Sequence, residues 1–265
     1  MDTVTHVFES GGPIALMGGV YGNVPALRAC LADARDMDAQ LHAFLGDMTG
    51  CCGHSDETAE LVKRHFQVVI AGNHEQSAAR GADACGCGYA SAQDEALGCK
   101  AHRFSLGSLS AANKAWFGVL PEKALIRTDL GSLLLCHGSP ERINEFLYED
   151  RLVDARLESW LTGHGAVGMA CTHTGFPWIR KLGAPLGARF AVNCGTAGKS
   201  DNDGDPAVHY ALLLPAAGTY IPQIRRVEYD HEAWAARLAC EGVDPVFIEP
   251  LRTGFWTFGA PGFNA

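Results

Sequence analysis

Three short apolar runs, each closed by glycine and each followed by a helical pattern or a polar turn, constrain this chain more than any other feature. Pro13–Met17 ends at Gly18-Gly19, Leu41–Leu45 runs into Gly46-Asp47, and Gln67–Ala71 runs into Gly72-Asn73-His74. Between the first two, 24–36 carries Ala26, Leu27, Cys30, Leu31 and Ala34 at helical spacing, with Asn23 placed to cap and Pro25 in the first turn. A second helix is predicted over Glu57–His65, capped by Ser55 or Asp56. Strand, turn and helix recurring in this way predict βαβ units and a sheet containing parallel strands.

The texture changes over 81–105, where Gly, Ala, Cys and Asp dominate without a clear period, so a long loop or cap segment is expected there. A helix over Ser110–Leu120 and strands over Ala124–Thr128 and Ser132–His137 follow, then a helix over Asp150–Gly163 and a strand over Ala166–Cys171. The last third is strand-rich (188–193, 207–214, 220–227) and closes with a helix over His231–Cys240, a short second helix and an aromatic tail at 254–265. No repeat or linker interrupts the chain, which is expected to form one domain over 1–265.

At 265 residues and 47% hydrophobic content the chain can bury a full core, and disorder is excluded as its dominant state. A net charge of −9 argues against a wholesale electrostatic grip on nucleic acid or acidic lipid. No run is long and apolar enough for a membrane span, and no basic segment precedes an apolar one at the N-terminus, so a cytoplasmic protein is expected. In that compartment the ten cysteines are expected to be free thiols, several of them buried as small apolar groups.

Polar residues gather just after predicted strands: Asp47 in LGDM, Asn73 and His74 in AGNHE, His137 in LLLCHGSP and His173 in ACTHTGFP. One such turn is ordinary. Four in register are not, because loops at the carboxyl ends of parallel strands converge on a single crevice. Imidazole nitrogens, a carboxylate and an amide oxygen meeting there make a metal site the natural reading.

Taken in order, these blocks resemble the calcineurin-like metallophosphoesterases, most closely the small bacterial phosphoesterase branch, over about 13–253. GNVPALRACL, GDMTGCCGHSDE, AGNHE, CHGSP, THTGFPWIR and VNCGTAG carry the likeness, joined by ERINEFLYED and RRVEYDHEAWAARL. The resemblance implies a four-layer α/β/β/α sandwich of two mixed sheets and a site that ordinarily holds two metals. It implies that Asp47, Asn73, His137 and His173 hold one ion, and that His74 hydrogen-bonds the phosphate and assists the leaving group. It also implies that Asn193, Cys194 and Gly195 border the substrate, with Cys194 in place of the family's usual proline.

The departures are concentrated. Where the family has D-x-H-G-N this chain reads Gly19-Val20-Tyr21-Gly22-Asn23, and where it has G-H-T-H this chain reads Thr172-His173-Thr174-Gly175. The three ligands exclusive to the other metal are therefore replaced together, at Gly19, Tyr21 and Gly175. The expectation is a one-metal hydrolase acting on a phosphate ester or related small anion, with iron, manganese or zinc as its single divalent transition ion. Losing one preorganised electrostatic partner costs about 3–4 kcal/mol of barrier, so two other outcomes stay open: a single-iron redox enzyme, and a pseudoenzyme that binds without turnover. Tyr21, Cys51, Cys52 and His54 stand near the vacated positions as candidates to rebuild a site there. Cys85, Cys87 and Cys99 in the insert pose the same choice between metal or redox chemistry and plain thiols. Arg180 and Lys181 are candidates to bring positive charge to an anionic substrate, and a homo-oligomer is left open.

Overall fold

A computed structural model describes residues 3–9, 11–89, 92–183 and 189–256. In chain order its strands are β1 (Val4–Val7), β2 (Ile14–Met17), β3 (Leu41–Phe44), β4 (Val68–Val69), β5 (Lys123–Thr128), β6 (Gly131–Cys136), β7 (Ala166–Cys171), β8 (Trp178–Leu182), β9 (Arg189–Asn193), β10 (Val208–Ala216) and β11 (Thr219–Val227). Its helices are α1 (Val24–Asp36), α2 (Ser55–His65), α3 (Asn73–Ala79), α4 (Ala92–Gly107), α5 (Ala111–Phe117), α6 (Asp154–His164), α7 (His231–Cys240) and α8 (Pro245–Thr253).

Two sheets form. One runs β11-β10-β2-β3-β4, the other β1-β5-β6-β7-β9-β8. The helix-linked strands β2, β3 and β4 pair in parallel, whereas β10 joins β2 and β11 antiparallel. In the second sheet β6, β7 and β9 are parallel neighbours, with antiparallel pairs at β5–β6 and β8–β9. Both sheets are thus mixed, as expected.

Side-chain alternation decides the layering. Ile14 and Leu16 of β2 meet Leu133 and Leu135 of β6 in a core between the sheets. Ala15 and Met17 point the other way, into a core shared with Leu27 of α1, Val62 of α2, Leu238 of α7 and Phe247 of α8. Leu134 and Cys136 face outward from the second sheet and pack with Leu157 and Leu161 of α6. Three apolar interfaces separate four layers, which is the α/β/β/α sandwich.

Local rules account for most of the elements. Asn23 Oδ1 accepts the Ala26 N–H at 3.3 Å and Pro25 occupies the first turn of α1, so this helix starts where the sequence predicts. α6 is stopped by Gly165 in the left-handed conformation. The segment 81–105 differs from expectation: a large part of it is α4, a sixteen-residue helix. Its buried face is Gly98, Ala101, His102 and Ser105, at helical spacing but made of small and polar residues, so it draws no apolar stripe in the sequence. The free-thiol expectation also fails at one place, since Cys85 and Cys87 are disulfide-bonded. Gly86, at φ +68°, turns the chain so that their Cα atoms lie 5.4 Å apart. Strands β1 and β8 and helix α3 are additions to the sequence reading. Of the aromatic tail, residues 257–265 lie outside the described residues. No helix among the described residues is long and apolar enough to cross a membrane.

Candidate metal centre

The loops after β2, β3, β4, β6 and β7 meet at one rim of the sandwich. The approach is closest between the loops after β3 and β4. A Cβ on Gly46 would lie 2.2 Å from Gly72 N, and one on Gly72 would lie 2.2 Å from Asp47 Oδ1 and 2.9 Å from His137 Cε1. Only glycine fits at either place. Glu75, in the first turn of α3, then staples the loops: its buried carboxylate accepts the N–H groups of Asp47 and Gly72 at 2.7 Å and of Met48 at 2.8 Å. Burial, with the neighbouring Asp47 charge, pushes the Glu75 carboxyl up to about 7, and the three N–H donors pull it back.

Asp47 and His173 both sit on left-handed backbone, at φ +63° and +46°, and so does Tyr21 at +54°. Non-glycine residues are held in that region only where surrounding contacts over-determine them, and functional sites are where this gathers. The result here is convergence. His137 Nε2 lies 3.2 Å from Asp47 Oδ2 and 3.1 Å from His173 Nδ1. On its other side His137 Nδ1 donates at 2.7 Å to the Leu45 carbonyl, which can only accept, so Nε2 is the nitrogen turned to the cluster. That is the arrangement that orients a metal-binding imidazole.

Asn73 begins α3 with its side chain fixed from one end. Nδ2 donates to the Cys85 carbonyl at 2.9 Å and to Cys87 Sγ at 3.2 Å, leaving Oδ1 buried without a partner. His173 Nε2 and His74 Nδ1 are likewise buried and unpartnered. Buried acceptors in this state cost about 1–3 kcal/mol each. Asp47, His137 and His173 each offer a donor atom within 4.8 Å of the others, a grouping able to hold a cation. The donor set of carboxylate oxygen and imidazole nitrogens, with an amide oxygen at hand, suits a divalent transition ion.

Electrostatics agree with the geometry. The histidines around Asp47, His137 foremost, overcome burial and hold its carboxyl well below the usual carboxylate range. Burial lowers His74 to about 4 and His173 to about 3, so both imidazoles are neutral at pH 7. Burial first, and Asp47 second, push the Tyr21 hydroxyl up, so it is a phenol rather than a phenolate.

His74 projects from α3 into a small inner cavity of about 30 Å³ lined by Asp47, Cys51, Cys87, Tyr89, Phe146 and His173, among others. An outer cavity of about 80 Å³ continues it past Tyr21, Gly175, Phe176, Thr196 and Trp256. α4 roofs the inner cavity: His102 donates through Nε2 to the Ala82 carbonyl at 2.9 Å and sets its ring edge-on to His74, 5.9 Å between centroids. Cys85 and Cys87 form a second grouping with His74, their ligand atoms again within 4.8 Å.

Other sequence candidates take different places. Cys51 lines the inner cavity beside Tyr21, and its thiol is lowered to about 6 by the hydrogen bond from Cys52, 3.5 Å away, against burial. Cys52 turns into the core, where its carbonyl accepts the Trp234 indole N–H. His54 faces α7: its Nε2 pairs with Glu241 at 2.8 Å and its ring meets Trp234. Asn193, Cys194 and Gly195 lie behind the cavity wall. Asn193 donates to the Thr172 carbonyl at 2.8 Å and to Thr174 Oγ1, and accepts the Gly195 N–H, so it braces the loop carrying His173. Cys194 belongs to the core between the sheets. Arg180 is committed to Asp154 and the Glu149 carbonyl, both at 2.7 Å, and Lys181 is exposed.

Sequence reasoning missed Glu75, His102, Phe146 and Lys199. Phe146 lays its ring 4.4 Å from that of His173. Lys199 brings its ammonium to 4.2 Å from the Tyr21 ring centroid and 4.3 Å from that of Trp256. The acidic residue after GNH and the basic one closing VNCGTAGK were visible in the sequence, but nothing in their spacing distinguished them.

A two-sheet α/β sandwich with carboxylate and imidazole donors gathered at its strand ends defines a scaffold that could hold a metal ion. The profile of the calcineurin-like phosphoesterases matches residues 5–208, and the chain belongs to that family of divalent-metal-binding proteins acting on phosphate esters. Among solved structures it is similar to a metallophosphoesterase from Sphaerobacter thermophilus, at 24% identity and a TM-score of 0.70, covering 92% of this chain and 99% of that one. It is also similar to a hypothetical protein from Pyrococcus horikoshii, at 17% identity and a TM-score of 0.74 with the same coverage. These likenesses concern the fold. No curated protein matches the sequence.

Proposed function

We propose that this chain is a one-metal phosphoesterase, hydrolysing a phosphate ester or related small anion. Asp47, His137 and His173 hold the ion, and Asn73 adds its amide oxygen. The observation that carries this reading is the meeting of Asp47 Oδ2, His137 Nε2 and His173 Nδ1, with two contacts of 3.1–3.2 Å and the His137 proton committed to Leu45. Beside it, Gly19 and Gly175 offer no side-chain ligand atom.

When bound, the ion polarises the substrate's phosphoryl oxygens and lowers the pKa of a water. The protein's own groups do the rest. His74 is neutral, buried and fixed at the start of α3, so one ring nitrogen can donate a hydrogen bond to a phosphoryl or leaving-group oxygen. Asp47 keeps its charge and braces the α3 start through the His74 N–H at 3.2 Å. α4 and the Cys85–Cys87 turn cover the inner cavity and limit its water.

Elemental analysis of protein purified without chelator, with hydrolysis of bis(4-nitrophenyl) phosphate measured on the same sample, tests this. One transition ion per chain together with turnover is expected. A stoichiometry of two ions, or of none after loading, overturns the one-metal reading, and one ion without turnover favours a binding role instead.

A further inference from the structure

An anionic substrate entering these cavities meets a buried carboxylate, Asp47, on a protein that is itself negatively charged. Among the described residues lining both cavities, Lys199 is the only lysine or arginine. We propose that Lys199 is an oxyanion-binding residue. Its ammonium takes an oxygen of a tetrahedral anion whose other oxygens face the Asp47, His137 and His173 cluster, and it thereby supplies as a fixed side-chain cation the charge that the vacated positions no longer hold as metal. The inference rests on the one-metal reading above.

The chain builds Lys199 into place. Thr196 Oγ1 donates to the Lys199 carbonyl at 2.7 Å and closes the turn from within. The Ala197 N–H donates to the Gly18 carbonyl at 2.9 Å, and Asn23 Nδ2 to the Gly198 carbonyl at 2.9 Å, fastening that turn to the loop after β2. The two segments touch so closely that a Cβ on Gly198 would lie 1.9 Å from the Val20 carbonyl oxygen. The lysine side chain then passes between the faces of Tyr21 and Trp256, both of which attract a cation. An ammonium held this way loses little freedom when an anion arrives.

The hollow around it is the one the replaced residues leave. A Cβ on Gly19 would meet Thr196 Cγ2 at 2.7 Å and the Tyr21 ring at 3.1 Å, and a Cβ on Gly175 would meet the same Thr196 methyl at 3.4 Å. Positions 19, 21 and 175 therefore converge on the turn that presents Lys199. Thr196 crowds the space in which side chains at 19 and 175 would have to stand. The ammonium also stays charged there, because Cys51 and Tyr89, with Cys52 and Asp47, outweigh the effect of burial.

The test is calorimetric titration of the metal-loaded protein with inorganic phosphate, comparing wild type with Lys199→Met, Lys199→Gln and Lys199→Arg, with metal content measured on every sample. The neutral variants are expected to keep one ion per chain and to bind phosphate on the order of ten- to a hundred-fold more weakly, the worth of one charge-assisted hydrogen bond. Lys199→Arg, which keeps the charge, is expected to stay close to wild type and guards against a folding defect in the neutral pair. Unchanged phosphate affinity in a folded neutral variant overturns the proposal and leaves Lys199 as the counter-charge of Cys51. So does a loaded wild type that binds no phosphate at millimolar concentration. Two ions per chain in the wild type overturns instead the one-metal reading on which the proposal stands.

Discussion

Asp47 and His74 are neighbours in the cavity, yet their substitutions should separate cleanly. Asp47 contributes a ligand oxygen and also receives the His74 N–H, so Asp47→Asn is expected to lose the ion and all turnover with it. His74→Ala should retain the ion, because its ring is not needed by the Asp47, His137 and His173 cluster, and should lose about 10²–10³ in kcat as one preorganised donor disappears. Metal content and turnover of bis(4-nitrophenyl) phosphate on both variants check this, and equal metal loss in the two would merge their roles. At this scale the sequence is informative about where a residue sits when its place depends on its own strand end, as at Asp47, Asn73 and His137. Lys199 and Phe146 were illegible, because their importance comes from rings and loops that only the tertiary fold brings beside them.

Helix α1 shows how elements hold the rim in place. Its Asp33 receives two bonds from Arg225 of β11, at 2.8 and 3.0 Å, and one from the Tyr210 hydroxyl of β10 at 2.7 Å. The Arg225 hydrogen bond, followed by that from Tyr210, lowers the Asp33 carboxyl below its ordinary value in spite of partial burial. A carboxyl depressed in the folded state stabilises above its unfolded pKa, and that stability drains away as pH falls through the folded value. Asp33→Asn should therefore cost about 1.5–3 kcal/mol at neutral pH, and the difference from wild type in urea melts should shrink toward pH ~3. A difference that is independent of pH would sink this assignment. α1 was readable from Asn23, Pro25 and the spacing of its apolar residues. α4 was not: Gly98 stands inside it with Tyr89 packed against the glycine, and its one buried face is built of Gly98, Ala101, His102 and Ser105, which lack the apolar stripe by which a surface helix is recognised. β1 was missed because its residues are mostly exposed on a sheet edge and show no apolar alternation.

For the molecule as a whole, a bound ion would link strand ends drawn from both sheets, Asp47 after β3 and His137 and His173 after β6 and β7. Binding that is confined to the native state raises stability by mass action, by about 2.7 kcal/mol at a hundred-fold excess over Kd. For a chain of this size that corresponds to a rise in Tm of roughly 5–10 °C. Scanning calorimetry with and without a chelator should show that shift in wild type and none in Asp47→Asn. The alternation of strands and helices gave βαβ units and a sheet with parallel strands, while the two-sheet, four-layer architecture was legible only through the likeness of the strand-end motifs to the calcineurin-like phosphoesterases. The interlock at Gly46 and Gly72 has an evolutionary corollary. A contact too tight to admit a methyl group makes Asp47 and His137 stand or fall as a unit, whereas position 19 hangs from the loop after β2 and position 175 stands two residues beyond His173, both outside that interlock. A lineage could thus strip one half of the centre bare while the other half kept its shape, and new chemistry could be tried in the emptied half without first unmaking the old.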